Sequence, residues 1–113
     1  MRTSALPKRF QELEYDQRVR EVVTLGLRAR HDKQAAQTIA ALADGTADER
    51  WLALKSCFGS RDQALILRLC QDPSRAVQRQ ALKLLARFGD DQAIETCLAR
   101  LGPKLQSLML LQL

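Results

Sequence analysis

The chain contains few of the residues that break helices or build sheets. Its 113 residues include five glycines, three prolines and five aromatic side chains. β-Sandwiches and barrels depend on turn residues and on β-branched and aromatic side chains, whereas this chain is rich in Ala, Leu, Gln and Arg. Hydrophobic residues make up 46% and charged residues 27%, which argues against a mainly disordered or collagenous chain. We therefore expect an all-α fold in a single domain spanning residues 1–113.

The sequence also lacks targeting and membrane signals. No apolar segment typical of a signal peptide follows Met1, and the longest apolar run, Leu108–Leu111, is far too short to span a bilayer. The three cysteines, Cys57, Cys70 and Cys97, form no Cys-x-x-Cys pair and have apolar neighbours. That pattern predicts buried thiols in a reducing compartment. We expect a cytoplasmic protein that does not associate with membranes.

The sequence also lacks any arrangement of residues that is typical of a catalytic site. His31 is the only histidine, and a metal site or a His-based dyad needs further ligands or a nucleophile. The carboxylate pairs Asp48-Glu49 and Asp90-Asp91 lie where helix N-termini favour negative charge. The glycines are isolated, and we expect them to cap or break helices: Gly26, Gly45, Gly59, Gly89 and Gly102. The sequence predicts no enzyme, no catalytic residue, no metal and no cofactor.

An internal repeat is the most informative feature that is present. Gln-Ala recurs at Gln34-Ala35, Gln63-Ala64 and Gln92-Ala93, 29 residues apart each time, with an aspartate one or two residues earlier. Phe58-Gly59 and Phe88-Gly89 are 30 residues apart. A fixed period of roughly 20–50 residues is typical of solenoids, in which each repeat buries its apolar face on its neighbours.

Each repeat is expected to hold two helices. Thr46 and Glu49 form a capping-box pattern at one helix start. Asp72-Pro73 predicts another start, with Pro at the first helical position, and Gly89 suits a left-handed C-terminal cap. We place the repeats and two further helices as follows: repeats at about 18–43, 46–71 and 73–101, an N-terminal helix at 6–16 and a C-terminal helix at 104–113.

The third repeat resembles a known family. Its Asp72-Pro73, Val77, Ala81 and Phe88-Gly89 follow the pattern of short HEAT-like repeats of about 30 residues, which also occur in phycobilin-lyase proteins. The resemblance implies a right-handed α-solenoid of about three antiparallel helix pairs that serves as a scaffold for another protein. It also implies that the second helices line the concave face. The family usually has Arg after the Val, where this chain has Gln78.

Basic residues outnumber acidic ones. Eighteen Lys and Arg against thirteen Asp and Glu give a net charge of +5. We call the four cations spaced by four residues along one predicted helix the basic ridge: Arg75, Arg79, Lys83 and Arg87. Like charges at this spacing repel, which favours an acidic partner. The alternative is a solvated outer face, and a GC-rich genome would also explain the many arginines.

The predicted C-terminal helix is apolar nearly all round. Either the chain is cut from a longer array, or this helix docks onto a partner or a second copy of the chain. The candidate docking residues are Leu105, Leu108, Met109 and Leu111. Trp51, in contrast, occupies a column of apolar residues in the repeat, and we expect it to pack in the core.

These patterns favour a non-catalytic scaffold or adaptor that binds another protein, either an acidic one or one with an apolar groove. The alternative is a nucleic-acid-binding solenoid that uses the basic ridge, since HEAT-like DNA glycosylases hold a duplex on a similar fold. An enzyme such as a bilin lyase or a glycosylase is a third hypothesis, implied only by the resemblance. Acids and aromatics converging on one face would support it.

Overall fold

The structure is a computed structural model that describes residues 12–111. Within this range the chain is all-α and contains no strand, which confirms the predicted class. The seven helices of residues 12–111 are α1 (Tyr15–Ala29), α2 (Lys33–Ala43), α3 (Ala47–Ser60), α4 (Gln63–Leu69), α5 (Arg75–Phe88), α6 (Asp91–Arg100) and α7 (Pro103–Leu110).

Short polar side chains fix most of the helix starts. Thr46 and Glu49 form the predicted capping box at the start of α3, with reciprocal bonds of 3.1 and 3.2 Å between side chain and backbone. Asp32, Asp62 and Asp90 accept backbone N–H bonds at the starts of α2, α4 and α6. These bonds satisfy donors that have no partner inside the helix, so each aspartate defines a helix boundary.

Two predicted boundaries are wrong. Helix α5 begins at Arg75 with Ser74 as its cap, whereas Asp72 accepts the Ser74 N–H at 2.9 Å and Pro73 precedes the helix. Gly89 has φ −75° and ψ 149°, so it ends α5 in an extended conformation rather than a left-handed one. The left-handed cap belongs to Arg61, with φ 53°, at the end of α3.

The chain divides into two compact units, with the boundary between Arg61 and Asp62. In the first unit, α1, α2 and α3 pack against one another. Tyr15 contacts Trp51 near the N-terminal ends of α1 and α3, and Gly26 meets Ser56 near their C-terminal ends. These two helices therefore run parallel. Their core with α2 includes Val22, Ile39, Leu42, Leu52, Leu54 and Cys57.

Glycines bring α1 and α3 into backbone contact. A Cβ on Gly26 would overlap the carbonyl oxygen of Ser56, and one on Gly59 would overlap the carbonyl oxygen of Val23. Both glycines lie inside helices, so the prediction that they cap or break helices is wrong for this pair. Their role is to let two backbones approach closely.

The second unit contains α4 to α7. Helix α5 packs against α4, α6 and α7. The amide of Gln78 on α5 donates to the carbonyl of Cys70 at the end of α4, at 3.0 Å. The buried side chains of this unit include Ile66, Leu69, Val77, Ala81, Leu82, Leu85 and Cys97.

The two predicted terminal helices extend beyond the described residues. Residues 12–14 are not helical, and α1 begins only at Tyr15, so the N-terminal helix predicted for 6–16 does not continue into α1. Its remainder lies outside the described residues. The predicted C-terminal helix begins one residue early, at Pro103, and is described to Leu110.

Candidate functional site

The basic ridge lies on the outer face of α5. Arg75, Arg79, Lys83 and Arg87 are all exposed, whereas Val77, Ala81, Leu82, Leu84 and Leu85 on the opposite face are buried. The spacing of four residues follows one side of the helix, so the four cations form a continuous strip. None of them forms an ion pair with a carboxylate of the described residues.

Within the part of the chain that the structure describes, Arg87 is the one ridge cation with an aromatic neighbour. Its guanidinium lies 5.4 Å from the centre of the Phe88 ring. Helix α5 contains no acidic residue in any turn. The positive charge of the ridge is therefore balanced neither by its own helix nor by an ion pair within residues 12–111.

The predicted apolar docking residues are described only in part. Leu111 is 81% exposed, and its neighbour Leu110 is 55% exposed. The side chains of Leu105, Leu108 and Met109 lie outside the described residues. Two adjacent exposed leucines are consistent with a docking surface.

Trp51 is half-buried at the surface of the first unit, so its predicted place in the core is wrong. Its indole N–H donates to the hydroxyl oxygen of Tyr15 at 2.7 Å. The ammonium of Lys55 lies 4.8 Å from the centre of the Trp51 ring and 5.4 Å from that of Phe58. The positions 51, 55 and 58 follow one helical face, a signal already present in the sequence, whereas the Tyr15 contact depends on the packing of α1 on α3.

A shallow groove opens beside these aromatic rings. It has a volume of about 330 Å³ and is lined by Tyr15, Asp16, Val19 and Arg20 of α1 and by Lys55 of α3. Partial burial lowers the pKa of Lys55, because a charged ammonium loses hydration there. The groove thus combines two cations, one carboxylate, a phenol and an aliphatic side chain.

The three cysteines are free and buried, which confirms the burial predicted for them. Cys70 and Cys97 lie next to each other in the second unit. Burial raises the pKa of both thiols, and for Cys70 the neighbouring Cys97 adds to the effect. Both side chains therefore remain neutral thiols at physiological pH, which makes them poor nucleophiles.

These raised pKa values predict a pH dependence of stability. The folded thiols keep their protons at a pH where those of the unfolded chain ionise, so stability is full below about pH 8.5 and falls as the pH rises further. The loss reaches up to about 1.4 kcal/mol per pH unit for each thiol. Urea unfolding under reducing conditions measures it, and the double variant Cys70→Ala/Cys97→Ala should show a flatter slope. An identical slope would contradict the assignment.

The structure shows no metal-ligand cluster among the described residues. His31 is exposed in the turn between α1 and α2, beside the exposed pair in which Arg28 contacts Asp32 at 3.1 Å. Asp48 is exposed in the first turn of α3, and Asp90 caps α6. No helix in the described range is both long and apolar enough to cross a membrane.

Comparisons of the chain with protein families, with characterised proteins and with solved structures find no match. The HEAT-like resemblance and the scaffold function therefore stay predictions. Two surfaces present cations to a partner: the basic ridge of the second unit and the groove of the first unit.

Proposed function

We propose that the protein is a non-catalytic, HEAT-like helical adaptor that binds an acidic partner protein through the basic ridge of α5. The observation that carries this proposal is the strip of four exposed cations with no ion-pair partner in the described residues. Repulsion between like charges four residues apart costs a few tenths of a kcal/mol per pair. A partner that supplies carboxylates removes this cost and gains charge-assisted hydrogen bonds.

The arginines favour a carboxylate-bearing partner. Each guanidinium presents a planar fork of donors that matches a carboxylate in a two-bond geometry. The opposite face of α5 is buried, which fixes the helix axis and holds the ridge in one orientation. The ridge therefore presents its charges with little freedom of the backbone to lose on binding.

The HEAT-like part of the proposal rests on the sequence repeat of about 29 residues. Aspartate caps at Asp32, Asp62 and Asp90 begin the three helices that carry the Gln-Ala pairs of that repeat. Gln78 stands where the family has Arg, and its amide bonds the carbonyl of Cys70 on the preceding helix. In the family, that arginine is thought to tie neighbouring repeats together, and the Gln78 bond would link the second and third repeats in its place.

Charge reversal on the ridge tests the adaptor function. We expect a fluorescein-labelled oligoglutamate to bind the full chain, with an affinity that falls as salt rises because the contact is largely electrostatic. Arg79→Glu/Lys83→Glu should weaken binding at least about tenfold. The matched control Arg30→Glu/Lys33→Glu makes the same charge change on exposed residues of the first unit. If both variants lost the same affinity, binding would depend on net charge rather than on the ridge, and the proposal would be overturned.

Labelled single-stranded and duplex oligonucleotides complete the test. A ridge that serves nucleic acid would bind them more tightly than oligoglutamate, with a steep salt dependence from counterion release. If the charge reversal abolished that binding selectively, the ridge would be a nucleic-acid site and the protein-adaptor proposal would fall.

A further inference from the structure

The groove of the first unit is a second site, independent of the basic ridge. Helices α1 and α3 hold it from two sides, and their backbone contact at Gly26 and Gly59 fixes the distance between them. Its lining brings hydrogen-bond donors together beside exposed aromatic surface. That combination suits a ligand with an anionic group next to an apolar one.

The hydroxyl group of Tyr15 can donate a hydrogen bond to a ligand. Its oxygen accepts the Trp51 indole N–H, so this contact uses an acceptor site of the hydroxyl and leaves its own proton available. The side chain is 53% exposed at the groove. Tyrosine therefore offers an O–H donor whose position is fixed by the tryptophan.

Two cations line the same groove. The Lys55 ammonium is held over the Trp51 and Phe58 rings, and Arg20 is exposed with no ion-pair partner among the residues described. Burial removes part of the hydration of Lys55, and an anion beside it would stabilise the charged ammonium. Three kinds of donor thus line one small opening: phenol, ammonium and guanidinium.

The carboxylate of Asp16 distinguishes between the possible anions. It lines the groove together with two cations, so the three groups leave one net positive charge for one ligand carboxylate. Asp16 repels any additional negative charge of the ligand and accepts hydrogen bonds. A peptide supplies both groups that this arrangement needs, a side-chain carboxylate for the cations and a backbone N–H for Asp16. A phosphodiester backbone carries a negative charge at every step and offers no comparable row of donors.

We propose that the groove between α1 and α3 binds an acidic peptide segment of a partner protein, with a Glu or Asp carboxylate held by Tyr15, Arg20 and Lys55. An apolar side chain of the same segment covers Val19, and a peptide N–H of the segment donates to Asp16. The inference goes beyond the proposed function, because it uses no residue of the basic ridge. Either site can therefore fail while the other stands.

Trp51 reports on the groove directly, because it is the only tryptophan in the chain. We would titrate the full chain with the blocked peptide acetyl-Gly-Glu-Leu-Glu-Gly-amide and follow the tryptophan emission. The expected result is a saturable change, since a carboxylate that engages Lys55 alters the charge over the indole ring. The same peptide with Gln in place of both Glu residues tests whether the charge is needed, and we expect it to give no saturable change.

Variants at the groove identify the residues responsible. Lys55→Gln and Arg20→Gln should each weaken the peptide about tenfold, the loss expected for one charge-assisted hydrogen bond. Tyr15→Phe keeps the ring but removes the hydroxyl and should weaken binding less. Arg30→Gln removes one exposed positive charge at the end of α1, outside the groove, and should leave the affinity unchanged. Circular dichroism of each variant confirms that the helices are intact.

Three results would overturn this inference. One is an equal response to the Glu and Gln peptides, because the site would then not recognise a carboxylate. Another is equal weakening by Arg30→Gln and Lys55→Gln, which would reduce binding to net charge. The third is saturable binding of oligothymidylate in the same assay without binding of the acidic peptide, which would make the groove a stacking site for single-stranded nucleic acid. Charge reversal on the ridge should not change the tryptophan signal.

Discussion

Replacing Gly26 with alanine is expected to lower the free energy of unfolding by about 3 kcal/mol. In an ordinary helix interior the same change raises it by about 1 kcal/mol, because alanine is the better helix former. Here the new Cβ would overlap the carbonyl oxygen of Ser56 and lie 3.1 Å from the amide nitrogen of Ser60. These obstacles are backbone atoms, which no rotamer change can move, so α1 and α3 must separate. Urea unfolding followed by circular dichroism measures the effect.

Gly102 provides the matched control. A Cβ at this position meets no atom of the described residues within 4 Å, and the residue does not have a positive φ. Gly102→Ala should therefore leave stability unchanged or raise it by up to about 1 kcal/mol, by restricting the unfolded chain. If Gly26→Ala were also neutral or stabilising, the close backbone contact between α1 and α3 would be contradicted.

Local signals predicted the helices well, because helix formation depends on nearby residues. The sequence predicts two helices in the repeat at about 18–43, and α1 and α2 supply them. The pattern from Thr46 to Glu49 predicts a reciprocal cap, and both bonds are present. Each feature needs only residues within one turn of the chain, so the sequence carries it in full.

Features set by tertiary contacts were not predictable in the same way. The apolar period that includes Trp51 does not show how far the neighbouring helix extends. In the structure the indole is half-buried, and its N–H donates to Tyr15. An isolated glycine such as Gly26 fits either a helix end or a close crossing, and only the position of α3 decides between them. At the start of α5, Asp72 and Ser74 are both good capping residues. The structure uses Ser74, so the helix begins two residues later than an Asp72 cap would place it.

The same limit applies to the candidate sites. The basic ridge follows from the period of one helix, so its four exposed residues were predictable from spacing alone. The groove needs side chains from two helices that are far apart in the sequence, Tyr15 and Arg20 on α1 with Lys55 on α3. No local pattern connects those positions.

Truncating Leu85 to alanine should have the other large effect on stability. The side chain is fully buried in the second unit, on the face of α5 opposite the basic ridge. Removing a buried leucine costs the transfer free energy of the lost atoms and leaves a cavity, together about 2–5 kcal/mol. Leucine and alanine differ little in helix propensity, so the loss measures packing rather than helix formation. Thermal or urea unfolding of the full chain checks the value.

Lys83→Ala is the control on the exposed face of the same helix. It removes a charge between Arg79 and Arg87 and should change stability by no more than about 0.5 kcal/mol. The two variants should behave oppositely in the oligoglutamate assay: Leu85→Ala keeps the basic ridge and binds normally while the protein is folded, whereas Lys83→Ala keeps the stability and binds more weakly. A large stability loss from Lys83→Ala, or a negligible one from Leu85→Ala, would contradict the assignment of buried and exposed faces on α5.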